Sequence, residues 1–411
     1  MLGPVDDVRG GRLSYRRLLG IPDLPALLLA AGLARLAERM FVLTLVLYAL
    51  ARFGSPTLAG WLSFAAVAPG LAASPLAGAL IDRFGPARAI AWDMLASAAG
   101  VGLLALLAGL DRTNEATLLA LVTLSSLTGL LSAAGIRSLL PSLVPAAALD
   151  RANALDTAIH AVVDVFGPAL AGMLVGFAGP APALAVIALC CALAALSTRG
   201  IRHLAPATPG PGSLLAEALI GIVRVLRQPT LRGLAVSYAL YQATWGALVV
   251  IVPVVTARYF AAGTDDFAVG LLWAAAGAAA GLGALVAGQL RTARRERAVM
   301  VLGMLATALA VWPVAAGFGF AGLVAGLLLA GAMEGPVDVA LLTLRQRRTD
   351  PAEFGRVLSV SMSLNVAGLP VGSAVAGLLI VRSLPATFAA AALVAALAAA
   401  AAALIPADDR R

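Results

Sequence analysis

An all-α membrane protein, with twelve transmembrane helices arranged as two six-helix bundles, is the fold class this sequence predicts, and three observations predict it. The 411-residue chain is 61% apolar and only 12% charged, with a mean hydropathy of +0.96. A soluble domain needs far more charge on its surface. The apolar residues fall into twelve runs, each near the roughly 20 residues that a bilayer core about 30 Å thick demands. These runs lie as six, a polar gap, and six more. Short runs of alternating polarity, the mark of a membrane β-barrel, are absent.

Taken in order, the first six spans are expected at 24–50, 57–81, 87–110, 116–140, 154–178 and 181–197. The second six fall at 230–256, 266–290, 298–318, 321–344, 357–381 and 384–405. A polar, arginine-rich segment at 1–20 precedes the first bundle (21–197), residues 198–229 link it to the second (230–405), and 406–411 form a tail. The linker opens on Thr198–His203 and a Pro/Gly-rich stretch at 205–212 that breaks helices. Within 213–227, Leu215, Leu219, Ile222 and Leu226 share one helical face. That pattern fits a helix lying on the membrane surface, with a plain solvated linker as the alternative.

The net charge of +8 is carried by arginine alone; there is no lysine. With the N-terminus placed in the cytoplasm, 23 of the 29 arginines fall in cytoplasmic segments. Only Arg52, Arg112, Arg258 and Arg382 fall outside, and Arg35 and Arg39 sit within the first span. The positive-inside rule then puts both termini in the cytoplasm. The basic balance is a matter of topology, not a nucleic-acid footprint. No cleavable signal peptide is visible, since residues 1–20 are polar and the next apolar run is too long for one. The adjacent Cys190 and Cys191 read as core packing rather than as a metal or disulfide framework. An Ala/Arg/Gly/Pro bias without lysine points to a GC-rich bacterium, hence to its inner membrane.

The halves look related. Residues 137–145 read R-S-L-L-P-S-L-V-P and lead to R-A-N-A-L at 151–155 and G-P-A-L-A-G at 167–172. In the second half R-Q-R-R-T-D-P at 345–351 leads to R-V-L-S-V at 356–360 and G-S-A-V-A-G at 372–377. Arg151/Arg356, Gly167/Gly372 and Gly172/Gly377 all stand 205 residues apart. A duplication of this kind predicts two similar bundles with a substrate site between them near mid-membrane.

Residues 78–88, G-A-L-I-D-R-F-G-P-A-R, form a short charged turn between the second and third spans. Gly78 and Gly85 permit close approach and a tight reversal. Asp82 offers a carboxylate to a neighbouring helix N-terminus, and Arg83 and Arg88 stay at the water interface. This turn resembles the signature loop of the major facilitator superfamily. L-L-P-S-L-V-P with R-A-N-A-L, D-P-A-E-F-G-R-V-L-S at 350–359, and Trp92-Asp93 resemble that superfamily's third drug:proton antiporter branch, which includes enterobactin-exporter-like and macrolide-efflux-like proteins. Gly167-Pro168-x-x-x-Gly172 resembles its exporter motif, mechanically a Pro-weakened turn between small residues that allows hinge motion. The resemblance implies the major facilitator fold and a central cavity lined by spans one, four, seven and ten. It further implies an Asp82 loop that docks on span eleven, with Asp93 tied into the Asp82–Arg88 gate. Two features depart from the pattern: span four lacks a mid-span arginine, and the exporter element ends Gly172-Met173 rather than in paired glycines.

Ionisable groups inside a bilayer are costly, so each is a functional candidate. Span one carries Arg35, Glu38 and Arg39; span ten carries Glu334 and Asp338. The two clusters are expected to face one another, Arg35/Arg39 against Glu334/Asp338, either as a network remade during transport or as a static ion pair. Span five places Asp156, His160 and Asp164 at steps of four. The stripe fits a proton relay, although a solvated helix end accounts for Asp156 equally well. Tyr238, Tyr241, Gln242 and Trp245 follow i, i+3, i+4, i+7 in span seven, a cavity lining for a bulky amphipathic cargo or else aromatic packing.

No hydrolase, nucleotide-binding or metal-ligating signature is present, and no cofactor is expected. The expected function is secondary export of a small amphipathic molecule (a drug, siderophore or secondary metabolite) by proton antiport, in a monomer whose partners are its cargo, protons and the lipid bilayer. Glu38, Asp164, Glu334 and Asp338 are the pool of coupling carboxylates, and Glu38 is the first candidate. The alternatives are lysophospholipid translocation, uncoupled facilitation or import, and a receptor or assembly factor that moves nothing.

Overall fold

Why the chain alternates helix and sharp corner is readable in its caps. Ser55, Asn114 and Ser383 each accept a backbone N–H of the first turn that follows them, at 3.1, 2.8 and 3.3 Å, satisfying donors that a helix start leaves orphaned. Two corners use a Gly-Pro step. Gly85 and Gly179 adopt φ of 86° and 88°, conformations open to glycine, and Pro86 and Pro180 begin the next helix where a missing N–H costs nothing.

The computed structural model describes residues 15–145, 148–201, 222–223, 225–289, 295–315, 318–349, 361 and 363–406. After a short turn of helix at Tyr15–Leu18 come α1 (Leu24–Phe53), α2 (Pro56–Phe84) and α3 (Pro86–Gly109). Helix α4 is in two pieces, Glu115–Ser126 and Leu130–Leu143, and α5 (Leu149–Ala178) and α6 (Pro180–Thr198) complete the first half. The second half holds α7 (Pro229–Thr256), α8 (Thr264–Gln289), α9 (Glu296–Ala315), α10 (Gly319–Arg348), α11 (Ser363–Ile380) and α12 (Leu384–Ala403). Among the described residues, ten of these helices are long and apolar enough to cross a bilayer. Helices α1 and α9 are outside that set, with Arg35, Glu38 and Arg39 interrupting the apolar run of α1. The fourth span, expected at 116–140, is found at Glu115–Leu143, with a turn at 127–129 dividing its helix.

Each half packs as a bundle. In the first, α1 lies against α5 and α6, and α3 against α6 and α4; in the second, α7 lies against α11 and α12, and α10 against α8 and α9. The bundles meet along α5/α8 and α2/α11. Small residues set both seams. A side chain at Gly172 would strike the backbone of Gly270, and one at Gly377 would come within 3.1 Å of Gly60 Cα. Thr57 Oγ1 adds a hydrogen bond to the Gly377 carbonyl at 3.0 Å. All these contacts lie toward the end opposite the chain termini, so that end is sealed. Outward faces carry Leu103, Leu106, Phe177, Leu282, Leu302 and Leu309 in the open, as a lipid-facing surface requires. Cys190 and Cys191 are buried free thiols.

The linker helix expected at 213–227 falls almost wholly outside the described residues; the described residues of that stretch, 222–223 and 225–227, are helical.

Candidate functional site

Helix α1 brings three charged side chains to mid-span, and α5 answers them. Arg35 forms a bidentate pair with Asp156, Nη1–Oδ1 at 2.7 Å and Nη2–Oδ2 at 2.9 Å, with both side chains largely buried. One turn on, Arg39 Nε lies 2.7 Å from Asp164 Oδ1, and His160 Nε2 lies 3.5 Å from Asp164 Oδ2. The fork geometry of the first pair matches what a guanidinium offers a carboxylate. The second pair is about half exposed, so solvent screens it and it contributes less to stability.

The sequence places the arginines' acidic partners on α10; the structure places them on α5. The physical reason is spacing and room. Arg35 and Arg39 are one turn apart on one face, Asp156 and Asp164 two turns apart on the facing helix, and Gly167 clears the path. A Cβ at Gly167 would come within 2.7 Å of Arg39 Cβ, so only a glycine lets the arginine cross α5 there. Asp156 is therefore an ion-pair partner rather than a solvated helix end. Pro168, without an N–H, leaves the Asp164 carbonyl free within a helix that continues through it. That carbonyl faces Gly277 of α8, where an added Cβ would stand 3.2 Å away.

From the other half, Glu334 and Asp338 of α10 lie within electrostatic range of both Arg39 and Asp164. Tyr238 of α7 donates to Asp338 Oδ1 at 2.5 Å. Glu38, exposed, lies in range of Arg39, His160 and Arg137. Asp338, Glu38, Arg39 and His160 are all exposed although they stand far from the helix ends. Charged, accessible groups from opposite bundles that sense one another must line a cleft between those bundles. Arg137 of α4 lies in electrostatic range of this charge cluster, although sequence reading did not place it among the candidate site residues.

The aromatic face of α7 divides. Tyr238 turns toward Asp338, but Tyr241 is fully buried and shares a hydrogen bond with Thr307 of α9 at 3.1 Å. Trp245 is 5% exposed and packs its ring at 6.0 Å from that of Trp273. Gln242 remains half-buried. For Tyr241 and Trp245, core packing is the observed role in this conformation.

At the Gly78–Arg88 turn, Arg83 stacks over Phe84 at 5.3 Å and Arg88 is exposed. The side-chain surroundings of Gly78 and Asp82 lie outside the described residues, as do residues 350–360. Asp93, expected to join that gate, turns instead to α4 and accepts the Ser132 N–H on Oδ2 at 3.0 Å.

Comparison with known proteins supplies independent findings. A family model described as Major Facilitator Superfamily matches residues 27–290 and 234–411. A protein of Sinorhizobium fredii described as "Uncharacterized MFS-type transporter y4rN" is 55% identical over 397 residues, covering 97% of this chain and 98% of its own. "Multidrug efflux pump Tap" of Mycobacterium tuberculosis is 30% identical over 403 residues, 93% of each chain. Among solved structures, the nucleoside transporter NupG superposes with a TM-score of 0.76 at 13% identity, over 93% of this chain and 98% of that one. A POT family transporter in complex with 5-aminolevulinic acid also gives 0.76, at 11% identity, over 95% and 96%. Similarities this low in sequence establish the fold alone.

Proposed function

The chain belongs to the major facilitator superfamily, and within it we propose that this protein is a secondary exporter of small amphipathic molecules, driven by proton antiport through alternating access. That it is a multi-pass membrane transporter follows from the family; cargo, direction and coupling are our reading. The observation that carries the reading is the pairing of Arg39 with Asp164 in one bundle, across a cleft from Glu334 and Asp338 in the other. Ionisable groups at this depth are expensive to maintain, and a static fold has no need of exposed ones on both faces of a cleft. Likeness to the Tap efflux pumps supports export.

In the mechanism, protonation discharges a carboxylate of the pool Glu38, Asp164, Glu334 and Asp338, frees its arginine and lowers affinity for cargo. Residues 21–197 and 230–405 move as the two rocking units of a monomer. Gly167, Pro168 and Gly172 serve as the hinge, and Gly78, Asp82, Arg83, Gly85 and Arg88 as the gate on the cytoplasmic side. Both termini lie in the cytoplasm of a bacterial cell, and the membrane is its inner one.

Efflux from proteoliposomes loaded with a panel of amphipathic compounds, with and without an imposed pH gradient, tests this in wild type and Glu38→Gln. Gradient-driven movement that Glu38→Gln abolishes is the expected result. Movement indifferent to both would contradict antiport and favour facilitated diffusion or lipid translocation.

A further inference from the structure

Helix α4 breaks where α3 places a buried acid. Between Ser126 and Leu130 the helical bonding changes register: Leu127 N–H donates to Leu124 O at 3.3 Å, Gly129 N–H to Ser126 O at 3.3 Å, and Leu131 N–H to Thr128 O at 2.8 Å. These are three-residue steps in place of four. The Thr128 carbonyl, which a continuous helix would give to Ser132 N–H, is taken by Leu131. Ser132 N–H donates instead to Asp93 Oδ2 at 3.0 Å. Asp93 thereby caps the second half of α4 from a neighbouring helix, with a negative charge at the positive end of the half-helix.

The pocket around this carboxyl is closed to bulk solvent. Asp93 has no exposed surface and forms no ion pair among the described residues. Ser97 Oγ donates to Oδ1 at 3.4 Å. Ser132 Oγ, itself 4% exposed, and Thr128 face the same carboxyl, yet Ser132 Oγ makes no hydrogen bond in this conformation. From α6, Cys191 lies in its electrostatic range. The break also needs room in two neighbours. A side chain at Gly70 of α2 would strike the Ser126 carbonyl, and one at Gly100 of α3 would strike Ser125 Oγ.

We propose that Asp93 is a proton-binding site separate from the cleft, and that its occupancy decides whether α4 is broken or continuous. In the broken form the ionised carboxylate is held by Ser132 N–H and the half-helix dipole. When a proton from the aqueous phase forms an O–H bond on the carboxyl, the charge that holds the cap is gone and the acceptor weakens. Ser132 N–H then returns to the Thr128 carbonyl, and the Ser132 hydroxyl has a free lone pair for the new O–H. A sodium ion fits this pocket poorly, because the Ser132 N–H points its positive end at the same carboxylate. The site is independent of what the protein carries, so its failure and that of the export reading are distinguishable.

Hydrogen–deuterium exchange of the full-length protein in nanodiscs, normalised to intrinsic rates across a pH series, reads the state of residues 127–132 directly. Wild type should exchange there faster at high pH, where three-residue bonds and the Asp93 cap hold these amides, and become more protected as pH falls. Asp93→Asn should hold the protected level at every pH. Gly129→Ala, whose Cβ meets nothing closer than 3.7 Å, favours the continuous helix and should move the midpoint up by about half a pH unit. A wild type without pH dependence, the same dependence in Asp93→Asn, or an unmoved midpoint in Gly129→Ala would each overturn the proposal. So would sodium at fixed pH producing the same protection. If Asp93→Asn does not fold, the Gly129→Ala midpoint decides.

Discussion

Helix pairs α1/α5 and α7/α11 occupy corresponding places in the two halves, yet they are held together by different chemistry. Gly167 of α5 and Gly372 of α11 stand 205 residues apart, and each admits the helix that opens its bundle. Gly167 admits the Arg39 side chain, whereas Gly372 admits the backbone of Ala243 itself. Around the first lie two ion pairs. Around the second, Gly368 meets the backbone at Ala239, and Gly246 meets it at Leu369. A duplicated scaffold thus keeps one copy of the joint as a close apolar contact and has turned the other into a charged, partly solvated one. The charged copy is the one with something to gain or lose on protonation; the apolar copy is fitted to transmit force.

The largest effect should come from spoiling the apolar joint. Gly372→Val forces backbones apart, and thermal unfolding in detergent should show a loss of several kcal/mol, more than the about 1–3 typical of overpacking. Next, Asp156→Ala leaves Arg35 without its fork and should cost about 3 kcal/mol; the reversed pair Arg35→Asp with Asp156→Arg should recover part of that stability, and failure to recover any would argue against direct pairing. Asp164→Asn removes a half-exposed pair and should change stability by about 1 kcal/mol or less while abolishing gradient-driven transport. Gly167→Ala should also abolish it, at a stability cost between those of Asp164→Asn and Gly372→Val, since the added Cβ would come within 2.7 Å of Arg39 Cβ, an atom that moves only with the α1 backbone. Tyr238→Phe should cost about 1 kcal/mol from one lost hydrogen bond, comparable with Asp164→Asn and read in the same melts. If Gly167→Ala unfolds the protein as thoroughly as Gly372→Val, the two joints are alike and the contrast fails.

Much of this was legible in the chain. Hydropathy showed the twelve spans, and the 205-residue offset their division into two similar bundles, because both are patterns in the sequence itself. Arg35, Arg39, Glu38, Glu334 and Asp338 announced themselves by the cost of charge in an apolar run. Their partners did not. Whether Arg39 meets Asp164 or Glu334 depends on which neighbour has a glycine at the crossing, and Gly167 reads in sequence as part of a motif rather than as space for an arginine. That Asp93 bonds to α4 was not legible in the chain, for a related reason. Its acceptor role exists only because α4 breaks at 127–129, and the polar Ser125, Ser126, Thr128 and Ser132 there read as ordinary hydroxyls in a hydrophobic span. Tyr241 and Trp245 share a face with Tyr238 by spacing, but packing against α9 and α8 separates them.

Solute counterflow set beside pH-gradient-driven efflux, in proteoliposomes carrying wild type or Asp164→Asn, tests most directly whether the charged joint couples protons to movement. Counterflow should persist in Asp164→Asn, because cargo exchange needs no proton, while gradient-driven efflux should vanish. Gradient-driven efflux at the wild-type rate in Asp164→Asn would contradict the account and leave the Arg39–Asp164 pair a structural contact, no different in kind from its apolar counterpart in the other half.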